Sequence, residues 1–168
     1  MRLFLAIPFP PEIRAHLTEA QQQLRAQGVR GNFSRPENLH LTLAFLGETP
    51  RCRDAARALA ATEGHCFSLT LGGFGRFSDV WWMGVEHCPP LEDMAASLQA
   101  RLRAAGFPLE ERPFRPHITL IRQAQGPAGA RPDLPPISMT VDRVVLMESL
   151  RREGRLIYRA VQEKRLKI

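Results

Sequence analysis

Two short stretches of this chain share one His-x-Thr-Leu pattern, His40-Leu41-Thr42-Leu43 and His117-Ile118-Thr119-Leu120, 77 positions apart. An imidazole titrates near pH 6.5, so it can give or take a proton at neutral pH, and two can serve as acid and base in one displacement. A threonine hydroxyl two residues on is a ready donor to a phosphoryl oxygen. Arg122, just beyond the second stretch, offers a bidentate donor for the charge that gathers on pentacoordinate phosphorus. Taken singly, either histidine reads as a structural residue; the repeated neighbourhood makes both candidates for chemistry. His16, His65 and His87 lack such neighbours and read as surface or structural. No two histidines lie at i, i+4 or His-x-His spacing and neither stretch contains an acidic residue, so no metal site is expected.

The elements that must position these residues follow from periodicity. Around each motif apolar and polar residues alternate, the period of a strand, with His and Thr on one face and the leucines on the other. Polar side chains on such a face are costly to bury dry, so the two faces are expected to line a cleft. Strict alternation sets Phe45 among the leucines and Arg122 on the face opposite His117. A bulge or a strand end must therefore intervene, and the strand is expected to end near Ile121. Phe9, Phe45 and Phe114 could stack on a base, but core packing is the favoured reading.

Elsewhere, Leu3–Phe9 reads as a buried opening strand. Helices are predicted from Pro10 and Pro11 to about Gln27, over Arg51–Ala61 and over Leu91–Ala105, with Gly28 and Gly106 as stops. Residues 31–38 read as a loop, 67–71 and 80–85 as a hairpin, 114–121 as the second motif strand, 137–150 as one β-like segment and 156–162 as a final strand. Gly72-Gly73-Phe74-Gly75 lacks the Gly-Lys-Ser/Thr and the helix start of a phosphate loop and reads as the hairpin's turn. This order implies an α+β fold with mainly antiparallel sheet, and the repeated motif implies two related halves that are not self-sufficient.

The chain has 168 residues, 44% hydrophobic and 24% charged, which suits one compact unit of residues 1–168 and excludes a multidomain assembly. Its net charge is +6, and only Lys164 and Lys167 among 23 basic residues are not arginine. Guanidinium groups suit a phosphate-bearing partner, although a merely basic surface has the same composition. Cys52, Cys66 and Cys88 are widely spaced and read as reduced thiols. No targeting signal or membrane-length apolar run is seen, so the expected location is the cytoplasm and the expected state a monomer.

The stretches HLTLAFLGE and RPFRPHITLIR, with the RLFLAIPFP opening, resemble the paired motifs of the 2H phosphoesterases, in particular the RNA 2′,3′-cyclic phosphodiesterase (2′-5′ RNA ligase, LigT-like) family. The likeness extends over nearly the whole chain. It implies a bilobal, duplicated α+β fold with two mainly antiparallel sheets flanked by helices, both motifs in a central cleft, and no cofactor or metal. It further implies metal-independent opening of an RNA 2′,3′-cyclic phosphate end, or of a small cyclic nucleotide, to a 2′-phosphate. His40 would be the proton donor to the departing 3′-oxygen, His117 the acceptor from water, and Thr42, Thr119 and Arg122 the phosphate holders. The histidines could exchange roles with substrate orientation, and the reverse reaction would join 2′-5′ ends. A non-catalytic nucleotide or RNA-end binding module, or a phosphodiesterase for another cyclic or 2′-5′-linked nucleotide, would use the same residues.

Overall fold

The apolar run behind Arg2 forms strand β1 (Arg2–Pro8), with five consecutive buried residues, in the computed structural model, which describes residues 1–168. Pro11 starts helix α1 (Pro11–Ala26), its fixed φ suiting the first turn and its missing N–H costing no helix bond. The chain turns out of that helix at Gly28, φ 92°. Strand β2 (Arg30–Phe33), a 3-10 turn (Pro36–Asn38), β3 (His40–Glu48), α2 (Cys52–Ala61), β4 (Phe67–Phe77) and β5 (Val80–Val85) follow. The remainder is α3 (Pro89–Ala104), β6 (His117–Gln125), β7 (Ile137–Val141), β8 (Arg143–Arg152) and β9 (Arg155–Arg165).

The strands form two antiparallel sheets, one in the order β3-β1-β8-β9 and the other β2-β6-β5-β4-β7. They meet where β3 and β6 pack against each other. The four-stranded sheet curls until the start of β9 reaches the 3-10 turn, where Asn38 Nδ2 donates to the Leu156 carbonyl at 2.9 Å. Helix α1, which leaves the four-stranded sheet, packs on β6 and β7 of the other one. Helix α3, which leaves the five-stranded sheet, packs on β3 beside α2, and α2 covers β8 and β9. One cluster of 37 buried apolar residues runs beneath both sheets, so the two share a core.

Three elements differ from the sequence reading. Residues 31–33, read as loop, belong to strand β2, which pairs with β6; a polar edge strand this short has no periodicity to reveal it. The segment 137–150 is two strands split at Asp142, β7 pairing with β4 and β8 with β1, because the chain changes sheets there. Gly72–Gly75 is not the hairpin's turn. It lies inside β4 at a register shift between Leu71 and Phe74, and the reversal falls at Ser78 and Asp79. The glycines serve packing instead: a Cβ on Gly75 would stand 2.3 Å from the Trp82 ring. Gly75→Ala is therefore expected to displace the indole and cost about 1–3 kcal/mol, read from urea denaturation followed by tryptophan fluorescence. An unchanged midpoint and spectrum would contradict that packing.

Candidate active site

Both motif strands carry a bulge just after the threonine. In the β1–β3 ladder Ala6 is opposite Thr42 but Leu5 is opposite Ala44. In the β5–β6 ladder Trp82 is opposite Thr119 but Trp81 is opposite Ile121. An extra residue reverses the alternation that follows it. Ala44 and Ile121 thus join the buried leucines at 6% and 0% exposure, and the next residues, Phe45 and Arg122, turn to the face that carries His and Thr.

This corrects two expectations. The second motif strand does not end near Ile121 but continues to Gln125, and the bulge, not a strand end, brings Arg122 to the cleft face. Phe45, expected in the core, is 53% exposed with the Arg2 guanidinium 5.0 Å from its ring centre. Phe9 is buried and Phe114 packs at the core's edge, as expected.

The two imidazoles are held alike. His40 Nδ1–H donates to the carbonyl of Asn38 at 2.7 Å, and His117 Nδ1–H donates to the carbonyl of Arg115 at 2.7 Å. Each histidine thus spends Nδ1 on the residue two before it, which fixes the tautomer and leaves Nε2 for chemistry. In the neutral ring His40 Nε2 accepts from the Thr42 hydroxyl at 2.9 Å. Each ring also stands among aromatics: His40 lies 4.9 Å from Phe4 and 5.1 Å from Tyr158, and His117 lies 5.2 Å from Phe77 and 6.0 Å from Trp82, centre to centre.

Burial pushes the His40 imidazole below its ordinary value of 6.5, and the nearby Arg122 and His117 push it further, against the raising effect of the Asn38 carbonyl. The influence of Arg122 and His117 on His40 brings the two motifs into one electrostatic site. Burial raises the Tyr158 phenol, opposed by Arg122, Arg2 and Arg151.

Asn38, Tyr158, Phe77 and Trp82 escaped the sequence reading. Asn38 was legible in principle as a buried polar residue two before a candidate histidine. It joins the curl of the four-stranded sheet, through its amide on Leu156, to the orientation of His40, through its own carbonyl. The three aromatics reach the histidines through strand pairing and curl, which no local pattern encodes. No group of three or more His, Cys, Asp or Glu side chains converges anywhere in the chain, and no helix is long and apolar enough to cross a membrane.

Residues 9–153 match the model of the 2′-5′ RNA ligase superfamily. The chain is 33% identical to an RNA 2′,3′-cyclic phosphodiesterase of Thermotoga maritima, across 97% of this chain and 94% of the relative. It is 39% identical to an RNA 2′,3′-cyclic phosphodiesterase of Escherichia coli K12, across 73% of this chain and 72% of the relative. Among solved structures, E. coli LigT complexed with 3′-AMP superimposes with a TM-score of 0.83 at 30% identity, covering 98% of this chain and 96% of that one.

Proposed function

The chain belongs to the 2′-5′ RNA ligase superfamily, and from that premise we propose that it is an RNA 2′,3′-cyclic phosphodiesterase opening the terminal ring to a 2′-phosphate through His40 and His117, without a metal. One observation carries this reading: two imidazoles fixed through Nδ1 in the same way, so that Nε2 is the atom left for proton transfer, that of His40 beside the Thr42 hydroxyl, with Arg122 and His117 near enough to depress His40.

In the step, His117 Nε2 takes a proton from water as its oxygen attacks phosphorus. The bond from phosphorus to the 3′-oxygen breaks, and His40 Nε2–H delivers a proton to that oxygen. The 2′-ester stays, water's oxygen becomes the third non-ester oxygen, and the protons balance between the two rings. Arg122 and the Thr42 and Thr119 hydroxyls meet the charge on the equatorial oxygens. With a 5′-hydroxyl in place of water as the nucleophile, the same displacement joins 2′-5′ ends, the bond from phosphorus to the 3′-oxygen again breaking, and its reversal cleaves them. Phe45, exposed beside the motif with Arg2 on its ring, offers a surface for the terminal base.

In the free protein His40 sits below its ordinary range, a state that disfavours a proton donor. A phosphodiester anion seated against Arg122 offsets that cation's field and raises His40, so the proton is secured as substrate binds. The profile of kcat/KM against pH is therefore bell-shaped, and its basic limb, where the donor loses its proton, moves to higher pH in kcat. A monotonic profile would sink the acid–base pair; an unmoved limb would remove the donor role from His40.

The direct test is EDTA-treated protein incubated with an oligoribonucleotide ending in a 2′,3′-cyclic phosphate, with 2′- and 3′-phosphate products resolved, beside His40→Ala and His117→Ala. Metal-free formation of the 2′-phosphate, lost in both variants, is expected. Retained RNA-end binding without turnover would make the chain a binding module.

A further inference from the structure

The two bulges are each fastened from the helix layer by a glutamine. In α1, Gln21 is 5% exposed and its Nε2 donates to the carbonyls of Ser34 at 2.8 Å and Leu120 at 2.9 Å. In α3, Gln99 Nε2 donates to the carbonyl of Leu43 at 2.8 Å. Leu43 and Leu120 each follow the motif threonine and open its bulge. Both glutamines occupy the eleventh position of a 16-residue helix, so the fastening recurs with the motif.

We propose that Gln21 is a positioning residue for Arg122: its carboxamide holds the Leu120 carbonyl and the neighbouring Ser34 strand end, and thereby the bulge that turns Arg122 into the cleft.

Four features bear on that bulge and on the β2–β6 register shift just beyond Arg122. A bulge leaves ladder groups of the extra residue to find other partners, and here they lie in a dry layer, since Leu120 and Ile121 are both 0% exposed; the Leu120 carbonyl accepts from the Ser34 N–H at 2.9 Å as well as from Gln21. Gln21 spends both amide hydrogens there, on one carbonyl of β6 and one just past β2. Gly31 of β2 presses on the same backbone, for its Cβ would stand 2.9 Å from the carbonyl oxygens of both Arg122 and Gln123. Gln123 itself has φ 53°, a conformation a non-glycine residue holds only when its surroundings impose it. Arg122 is exposed and has no salt-bridge partner, so its direction is set by backbone rather than by side-chain neighbours.

The inference builds on the phosphate role proposed for Arg122, and its test reads Arg122 with and without turnover. The first readout is the titration of His40 by NMR in the ligand-free protein, because Arg122 is one of the groups that depress it. The second is the KM for a 2′,3′-cyclic phosphate end. Gln21→Met keeps length and volume but donates nothing. It is expected to move the His40 midpoint upward, toward that of Arg122→Gln, with no further movement in the double variant. KM is expected to rise about tenfold with kcat changed less than about threefold.

Gly31→Ala, which pushes on the bulge from β2, is expected to shift the midpoint in the same direction and remains informative if Gln21→Met does not fold. Gln99→Met, the same lesion at the other bulge, lies on the strand of His40 itself, so any shift it causes is expected to remain in an Arg122→Gln background, unlike that of Gln21→Met. If folded Gln21→Met and Gly31→Ala both titrate like the parent, or if Gln21→Met still shifts His40 in an Arg122→Gln background, the proposal is overturned. If the parent fails to turn over while the titration behaves as expected, the phosphodiesterase reading falls and the positioning role stands.

Discussion

His40→Ala and His117→Ala are each expected to lower kcat/KM for a 2′,3′-cyclic phosphate end by about 10²- to 10⁴-fold, the ordinary contribution of a positioned acid or base. The two losses do not multiply. Proton removal from water and proton delivery to the 3′-oxygen belong to one displacement, so a site deprived of one partner gains little from the other, and the double variant falls within about tenfold of the slower single one. Alanine suits the test because the imidazoles' bonds to the fold, Nδ1 to a backbone carbonyl in each and Nε2 to the Thr42 hydroxyl in His40, lie outside the strand ladders, so removing either ring leaves the strand register intact. Single-turnover cleavage of an end-labelled oligoribonucleotide measures the effect without interference from product release. Either single variant retaining activity within about threefold of the parent would sink the paired mechanism. So would a His40→Ala protein that still ligated, because water and a 5′-hydroxyl would attack in one site and expel the same 3′-oxygen.

Arg122→Gln is expected to cost about 10²- to 10³-fold in kcat/KM, the scale of losing one preorganised donor to a developing oxyanion. The loss is divided between KM and kcat, since the guanidinium meets charge in the bound diester and more of it in the transition state. Arg122→Lys recovers only part, as it restores charge without the planar fork. Removing this cation also relieves the depression of His40, so the basic limb of kcat/KM moves to higher pH in the glutamine variant. Loss of rate with an unshifted profile would separate Arg122 from His40 and contradict the shared site. Steady-state kinetics across pH on parent, Gln and Lys proteins decides it.

The chemistry-bearing residues were legible because they recur in sequence, and the strands that hold them because leucines alternate with His and Thr. Alternation failed at one place in each half. The bulges after Thr42 and Thr119 are products of pairing with β1 and β5, and a single strand's pattern contains no record of its partner's register. That is why Phe45 was assigned to the core and Arg122 needed a strand end that does not exist. The same limit hid Tyr158, which is far from His40 in sequence and meets it only because the four-stranded sheet curls back to Asn38. The glycines of β4 misled for another reason: Gly-rich sequence signals a turn or a close approach equally well, and here the Trp82 ring over Gly75 takes up the space.

The crossed placement of α1 and α3 bears on how the site can move. Each sheet is roofed by a helix that departs from the other, and the buried layer is continuous beneath both. Two bodies joined in that way have no hinge, because swinging one sheet away from the other would drag a helix off its neighbour's core. The distance between the histidines is thus set when the chain folds and not by a closing motion on substrate, and the whole molecule has to unfold as one unit before that distance can be lost.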